Sequence, residues 1–254
     1  HLTHLPTSSR PLHPCRYVGA SASIDASGRG FGSAEGPGKG NSRQYQKSGV
    51  GGGYGGEGSP SVSYPSTQGA AYGSCKYPRL KGSGGGVGEN RGAYQAGGAG
   101  GGTIELNVTG MLIVDGAIRS NGADGDNGGL FGSGESQCST GYRPIYAGGG
   151  GSGGSVLIHS PSVQGVGTIE AMGGQGGSPG TRCGISSEDY RGGHGGGGRV
   201  AVYTPAAISA SLTYRVHGSS ASSLHSAAGT VYTEVGGNRT LLVDGGSTTS
   251  PAGA

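Results

Sequence analysis

The chain has 254 residues, of which 63 are glycine and 12 proline; 31% are hydrophobic, with no Trp and 2 Phe, which excludes a thick core of large side chains. Charged residues make up 12% and the formal net charge is +3, which argues against disorder driven by self-repulsion and against the basic footprint of a nucleic-acid or anionic-membrane binder. No run of 18 apolar residues offers a membrane-spanning helix.

Residues 1–16 start at His1 without Met or a signal-type apolar region and read as an extended N-terminal arm of a processed piece. A repeat then begins at 17. Its half-copy places Val18 six residues before Ile24, with Ile24, Ala26 and Gly28 at alternate positions. A large insertion occupies 29–98. The first full copy runs from the glycine stretch 97–102 into Ile104 and Leu106, then Leu112, then Ile118, Ser120 and Gly122. The second runs from 148–154 into Val156 and Ile158, then Val163, then Ile169, Ala171 and Gly173; the third from 192–198 into Val200 and Val202, then Ile208, then Tyr214, Val216 and Gly218. A fourth begins after Gly229 with Val231 and Thr233, and Leu241-Leu242-Val243-Asp244-Gly245 repeats Leu112-Ile113-Val114-Asp115-Gly116 almost letter for letter, as the start of a further copy. The Ser/Thr/Pro tail at 247–254 reads as a connector open to O-glycosylation.

Two-residue alternation bounded by glycine predicts strands, and helical periodicity is absent. The expected fold is all-β: a glycine-rich β-solenoid, or β-helix, with irregular long loops and essentially no α-helix, forming one domain over 17–246. Ile104, Val156, Val200 and Val231 are expected to stack as one core column, with Ile118, Ile169 and Tyr214 on a facing strand. The glycine runs are expected to be ordered, because lack of Cβ lets neighbouring backbones approach. Cys15, Cys75, Cys138 and Cys183 form an even set without metal-ligand spacing, which points to disulfides in an oxidising compartment. Register favours Cys138 with Cys183, leaving Cys15 with Cys75. The sequons Asn107-Val108-Thr109 and Asn238-Arg239-Thr240 point the same way, and both asparagines are expected at the surface.

Catalytic constellations are missing from the letters. No carboxylate pair, nucleophile–base set or phosphate loop has interpretable spacing, so no enzyme activity is expected. His159 and His194 read as surface residues, and Asp115 and Asp244 as turn residues that bond nearby backbone. Asp124 and Asp126 offer oxygen ligands for Ca²⁺ but lack the spacing and closing Glu of an EF-hand; the expectation is no cofactor, with calcium the minor alternative.

The blocks at 148–177, 192–203 and 229–234 resemble glycine-rich repeat regions of large secreted or cell-surface proteins. That resemblance implies a β-helical extracellular structural or adhesive protein with no active site to carry over. The expected role is an interaction module of a surface filament, flagellar hair, wall, matrix or adhesin. Its expected partners are further copies or other subunits and covalent glycans, without nucleic acid or membrane insertion. One alternative is a carbohydrate-binding or polysaccharide-cleaving β-helix using tyrosines such as Tyr142, Tyr146 and Tyr190; a weaker one is ice binding.

Overall fold

The computed structural model describes residues 16–42, 47–61, 68–90, 93–128, 146–179, 190–221 and 224–246. Among them there is no α-helix. β1 (Arg16–Val18) and β2 (Ser23–Asp25) come first, then a hairpin of β3 (Gly88–Asn90) and β4 (Ala93–Gln95). A trio follows: β5 (Thr103–Asn107), β6 (Met111–Val114) and β7 (Ala117–Arg119). It recurs as β8 (Ser155–His159), β9 (Ser162–Gln164) and β10 (Thr168–Glu170), and again as β11 (Arg199–Thr204), a bridge at Ile208 and β12 (Thr213–Arg215). A small hairpin, β13 (Ser220–Ala221) with β14 (Leu224–His225), precedes β15 (Gly229–Val235) and β16 (Asn238–Asp244).

Equivalent strands of successive trios pair side by side and parallel, giving sheets β5-β8-β11-β15, β1-β6-β9 and β2-β7-β10-β12. Parallel neighbours need long crossovers, and here the glycine runs supply them. In register, Ile104 lies beside Val156, Val156 beside Val200 and Val200 beside Val231. Ile24, Ile118, Ile169 and Tyr214 form a second such row. The inward faces of the three sheets meet in one buried cluster that includes Ile104, Leu112, Ile118, Val156, Val163, Ile169, Val200 and Tyr214. Branched aliphatic side chains at a strand spacing of about 4.8 Å fill such a narrow space without large aromatics.

Two details differ from the sequence reading. Val18 pairs with Val114 rather than Leu112, because the first copy carries a longer turn, closed by the Ala22 amide on the Gly19 carbonyl; a slip of two keeps Val18 on the same face. Leu241–Val243 do not start another parallel copy but run antiparallel to β15. Gly236 and Gly237 have φ of 56° and 90°, the two positive values of a type I′ hairpin turn, and reverse the chain.

The glycine runs follow a different rule from the strands. In 148–154 every residue donates its amide outside the run, cycling through three neighbours. Gly148, Gly151 and Gly154 bond Asp126, Ala123 and Ser120; Gly149 and Ser152 bond Gly86 and Ser83; Gly150 and Gly153 bond Gly193 and Gly196. Its carbonyls accept from three more segments, through Gly98 and Gly101, Gly174 and Gly177, and Gly52. A three-residue period without internal bonds is that of an extended threefold helix of polyproline-II type. Six neighbours around one chain make a two-dimensional lattice. A Cβ on Gly148, Gly149, Gly150, Gly151, Gly153 or Gly154 would lie 2.0–2.2 Å from a neighbouring carbonyl oxygen, so only glycine fits. The insertion is part of this lattice, since 49–59 and 82–88 supply two of the six neighbours.

One core group stands out energetically. Tyr214 is buried and its hydroxyl finds no hydrogen-bond partner among the described residues, while burial pushes its phenol far above its usual range. An unsatisfied buried hydroxyl costs about 1–3 kcal/mol. Tyr214→Phe is therefore expected to raise stability by about 1 kcal/mol, read as a higher denaturation midpoint at unchanged slope.

Candidate functional site

Strand alternation sends Thr103, Glu105 and Asn107 to the outer side of β5, and Ser155, Leu157 and His159 to the same side of β8. Most of that outer face is covered by the insertion. Leu157, Ala201 and Tyr232 form a second buried cluster with Tyr203 against it. Arg199 on β11 donates to the carbonyls of Tyr72 (3.0 and 3.2 Å) and Tyr54 (3.4 Å), while Tyr54 shares a 2.7 Å hydrogen bond with the Ser155 hydroxyl. The parity argument for outward residues thus holds, but outward does not mean exposed here.

Beyond the cover, the last outer row remains accessible. Asn107, His159, Tyr203 and Glu234 are aligned across β5, β8, β11 and β15. The His159 and Tyr203 rings stack at 4.6 Å and 9°, and Tyr77 from the insertion stacks on Tyr203 at 5.7 Å. Glu234 accepts from Arg239 (3.0 Å) and the Tyr232 hydroxyl (3.0 Å), which hold its carboxyl below the usual range. An open groove of about 550 Å³ runs along this row, lined on one side by Asn107, Val108 and Thr109 and on the other by the Gly236–Gly237 turn.

Burial also raises the phenol of Tyr72 to about 12 and that of Tyr54 above its ordinary 10.0. The folded state holds these protons while the unfolded chain releases them near pH 10, so their contribution is complete below that value and declines as pH rises toward 12. Thermal midpoints are expected to be flat on this account from pH 8 to about 10 and to fall above it, less steeply in Tyr72→Phe.

No family model, curated protein or solved structure matches this chain. Its site must be judged from its own residues. Asn107 and Asn238 are both exposed, the first at the end of β5 and the second just after the hairpin turn. Cys75 is half-buried and has no disulfide partner among the described residues; its expected partner Cys15, and Cys138 with Cys183, lie outside them. Asp124 accepts from the Gln175 amide (2.7 Å) and Asp126 from the Ala96 amide (3.3 Å), so each carboxylate is turned toward a different backbone segment. No group of three or more metal-ligating side chains occurs among the described residues. Nor is any helix among them long and apolar enough to cross a membrane.

Several surface assignments need correction. His194 is wholly buried: its run is enclosed by the lattice, its amide donates to the Ser59 hydroxyl (2.6 Å) and its Nδ1 accepts from the Gly176 amide (3.0 Å). Tyr146 is buried against Tyr190 at 5.0 Å, and Tyr142 lies outside the described residues. Asp115 reaches not its own turn but the Val166 amide (3.2 Å), while Asp244 bonds both locally to Gly246 (2.9 Å) and at a distance to Val216 (3.0 Å).

A second feature was visible in the aligned copies but not read from them. The residue after each Ile/Tyr core position is Asp25, Arg119, Glu170 and Arg215, and these are register partners on the outer side of β2, β7, β10 and β12. Signs alternate along the row, with Arg119 and Glu170 3.3 Å apart. β2 and β12 are the edges of that sheet, so one edge ends on a carboxylate and the other on a guanidinium. The Ser27 hydroxyl and amide, then Arg119 and Arg29, hold the Asp25 carboxyl below its usual range.

Proposed function

We propose that the chain is a non-catalytic structural module of an extracellular assembly, folded as a short β-solenoid and joined to further copies through its strand edges. The observation that carries this reading is the pair of open edges, β2 and β12, whose end charges Asp25 and Arg215 are complementary. Unpaired strand edges template the addition of further strands. Placed edge to edge, the β12 of one copy and the β2 of the next extend the alternating row by one more opposite pair, which selects head-to-tail direction and register. The glycine lattice supports the same role, because a unit held by backbone bonds in two dimensions leaves its side-chain rows available for contacts. The similarity of its repeat blocks to those of secreted glycine-rich proteins agrees with an extracellular site.

One strand controls that contact. β15 begins a turn of the solenoid beyond β12, and β16 lies along its outer edge, in the place the next copy's β5 would take. Assembly in this register requires the hairpin to open. A chain ending at Val235 is expected to form longitudinal strings by electron microscopy and sedimentation more readily than the intact chain. Asp25→Arg alone or Arg215→Asp alone breaks the strings, and mixing the two variants restores them. If both lengths stay monomeric at high concentration, the reading is wrong.

A further inference from the structure

We infer that Asn107 carries an N-linked glycan whose first sugars lie in the groove beside it, seated on the His159 ring. The inference rests on the extracellular part of the function proposed above, since only a secreted chain meets the glycosyl donor. All three sequon residues line the groove, and Asn107 is exposed at its edge. Its Nδ2 lies 3.5 Å from the Glu105 carboxylate at the sheet surface. β5 is the edge strand, and Asn107 is the register partner of His159 on the next strand.

The ring geometry supplies the seat. One face of the His159 imidazole is taken by Tyr203, stacked at 4.6 Å; the opposite face looks along the row toward Asn107, one strand spacing away. A pyranose presents an apolar face of C–H bonds, and a sugar on Nδ2 placed over that imidazole face would extend the stack to sugar, His159, Tyr203 and Tyr77. The hydroxyls at the rim of such a sugar need acceptors. The ionised Glu234 carboxylate stands along the same groove.

The covalent step balances with a donor of known chemical class, a polyisoprenyl-diphosphate-linked oligosaccharide. Asn107 Nδ2 bonds to the anomeric carbon, the anomeric C–O bond breaks, the lipid diphosphate leaves with the electron pair, and the amide gives up one proton. Asn238 offers a contrast within the same chain. It pairs with Val235 at the tip of the hairpin, with no aromatic residue at its register position, so a glycan there has no such seat.

The test uses the full chain secreted from a eukaryotic host. Glycopeptide mass spectrometry is expected to show Asn107 occupied. Release of that glycan by a peptide-N-glycosidase is expected to be about tenfold slower from the folded protein than from the same protein denatured, the factor that one ring contact supplies. His159→Ala brings the folded rate to the denatured one, and His159→Phe keeps most of the protection. Asn107→Gln abolishes the glycopeptide and serves as the baseline. An unoccupied Asn107, or a release rate that neither folding nor His159→Ala changes, overturns the inference. Because strings and glycan are read separately, a secreted chain that assembles with Asn107 bare overturns this inference alone.

Discussion

Gly151→Ala is expected to abolish the fold, with a loss of more than about 4 kcal/mol, while Gly245→Ala leaves stability within about 0.5 kcal/mol of the parent. The added methyl at 151 would stand 2.1 Å from the Ala99 carbonyl oxygen, 2.5 Å from its carbon and 2.7 Å from the Gly98 oxygen. Ordinary carbon–oxygen contacts are about 3.3 Å or longer, so the run 97–101 would have to retreat by about 1 Å. That run cannot yield alone. Gly98 and Gly101 donate to Gly149 (2.8 Å) and Ser152 (2.9 Å), and Gly85 donates back to Gly98 (2.9 Å), so one displaced backbone pulls on the whole lattice. Overpacked cores usually relax through side-chain rotation at a cost of about 1–3 kcal/mol, and backbone packed against backbone has no such freedom.

Two controls separate this mechanism from a general dislike of alanine. At Gly245 nothing lies within 4 Å, and at Gly32 the nearest atom is the end of the flexible Glu35 side chain at 3.1 Å. Gly32→Ala is expected to cost less than about 1 kcal/mol. Denaturation midpoints and soluble yield for the three variants give the order. A Gly151→Ala chain that melts with the parent would show that the lattice is not what holds the protein together.

The all-β class is legible because apolar letters recur at every second place after glycine: Ile104 and Leu106, Val156 and Ile158, Val200 and Val202; the intervening letters are Glu105, Leu157 and Ala201, of which Leu157 and Ala201 pack in the second, outer cluster. The lattice was also written in the sequence, but at a different period. In 121–128, Asn121, Asp124 and Asn127 recur every third residue with Gly122, Gly125 and Gly128 between them, and the three side chains accept from Met172, Gln175 and Ser178 at 2.7–2.8 Å. Those three amides belong to a segment where non-glycine letters also come every third place. A search tuned to strands and helices passes over that spacing. His194 was misplaced for the same reason: a lone side chain in a glycine run looks exposed until the run is known to have neighbours on every side. The reversal at Gly236–Gly237 was hidden by the repeat itself. Leu241–Gly245 matches β6 in letters, yet a two-glycine turn immediately before it outweighs the match, because local backbone geometry decides the chain's direction before any distant partner is met.

Arg199→Met is expected to detach the insertion from the outer face of the sheet at a cost of about 2–4 kcal/mol while the parallel strands stay paired. The guanidinium is buried, it bonds the Tyr72 carbonyl through two nitrogens and reaches the Tyr54 carbonyl and the Thr230 hydroxyl, and it lies 5.5 Å over the Tyr54 ring. Methionine replaces the volume but none of the donors, which leaves the Tyr72 carbonyl without the guanidinium that caps it. Arg199→Lys should restore little, because one ammonium lacks the flat fork that spans both carbonyls. Outside the glycine lattice, its remaining attachment to this face is thin: the Ser155 hydroxyl on the Leu80 carbonyl (2.6 Å), the Tyr54–Ser155 bond, Tyr203 on the Lys76 carbonyl (2.6 Å), the Tyr77–Tyr203 stack and the exposed Arg79–Glu105 pair (2.7 Å). Hydrogen exchange should therefore accelerate at the Tyr72 amide, which bonds the Tyr54 carbonyl at 2.8 Å, while Val200 and Val156 keep their protection. Uniform loss of protection across β8 and β11 would mean instead that the lattice contacts of the insertion do not suffice and that the strands also depend on this cover.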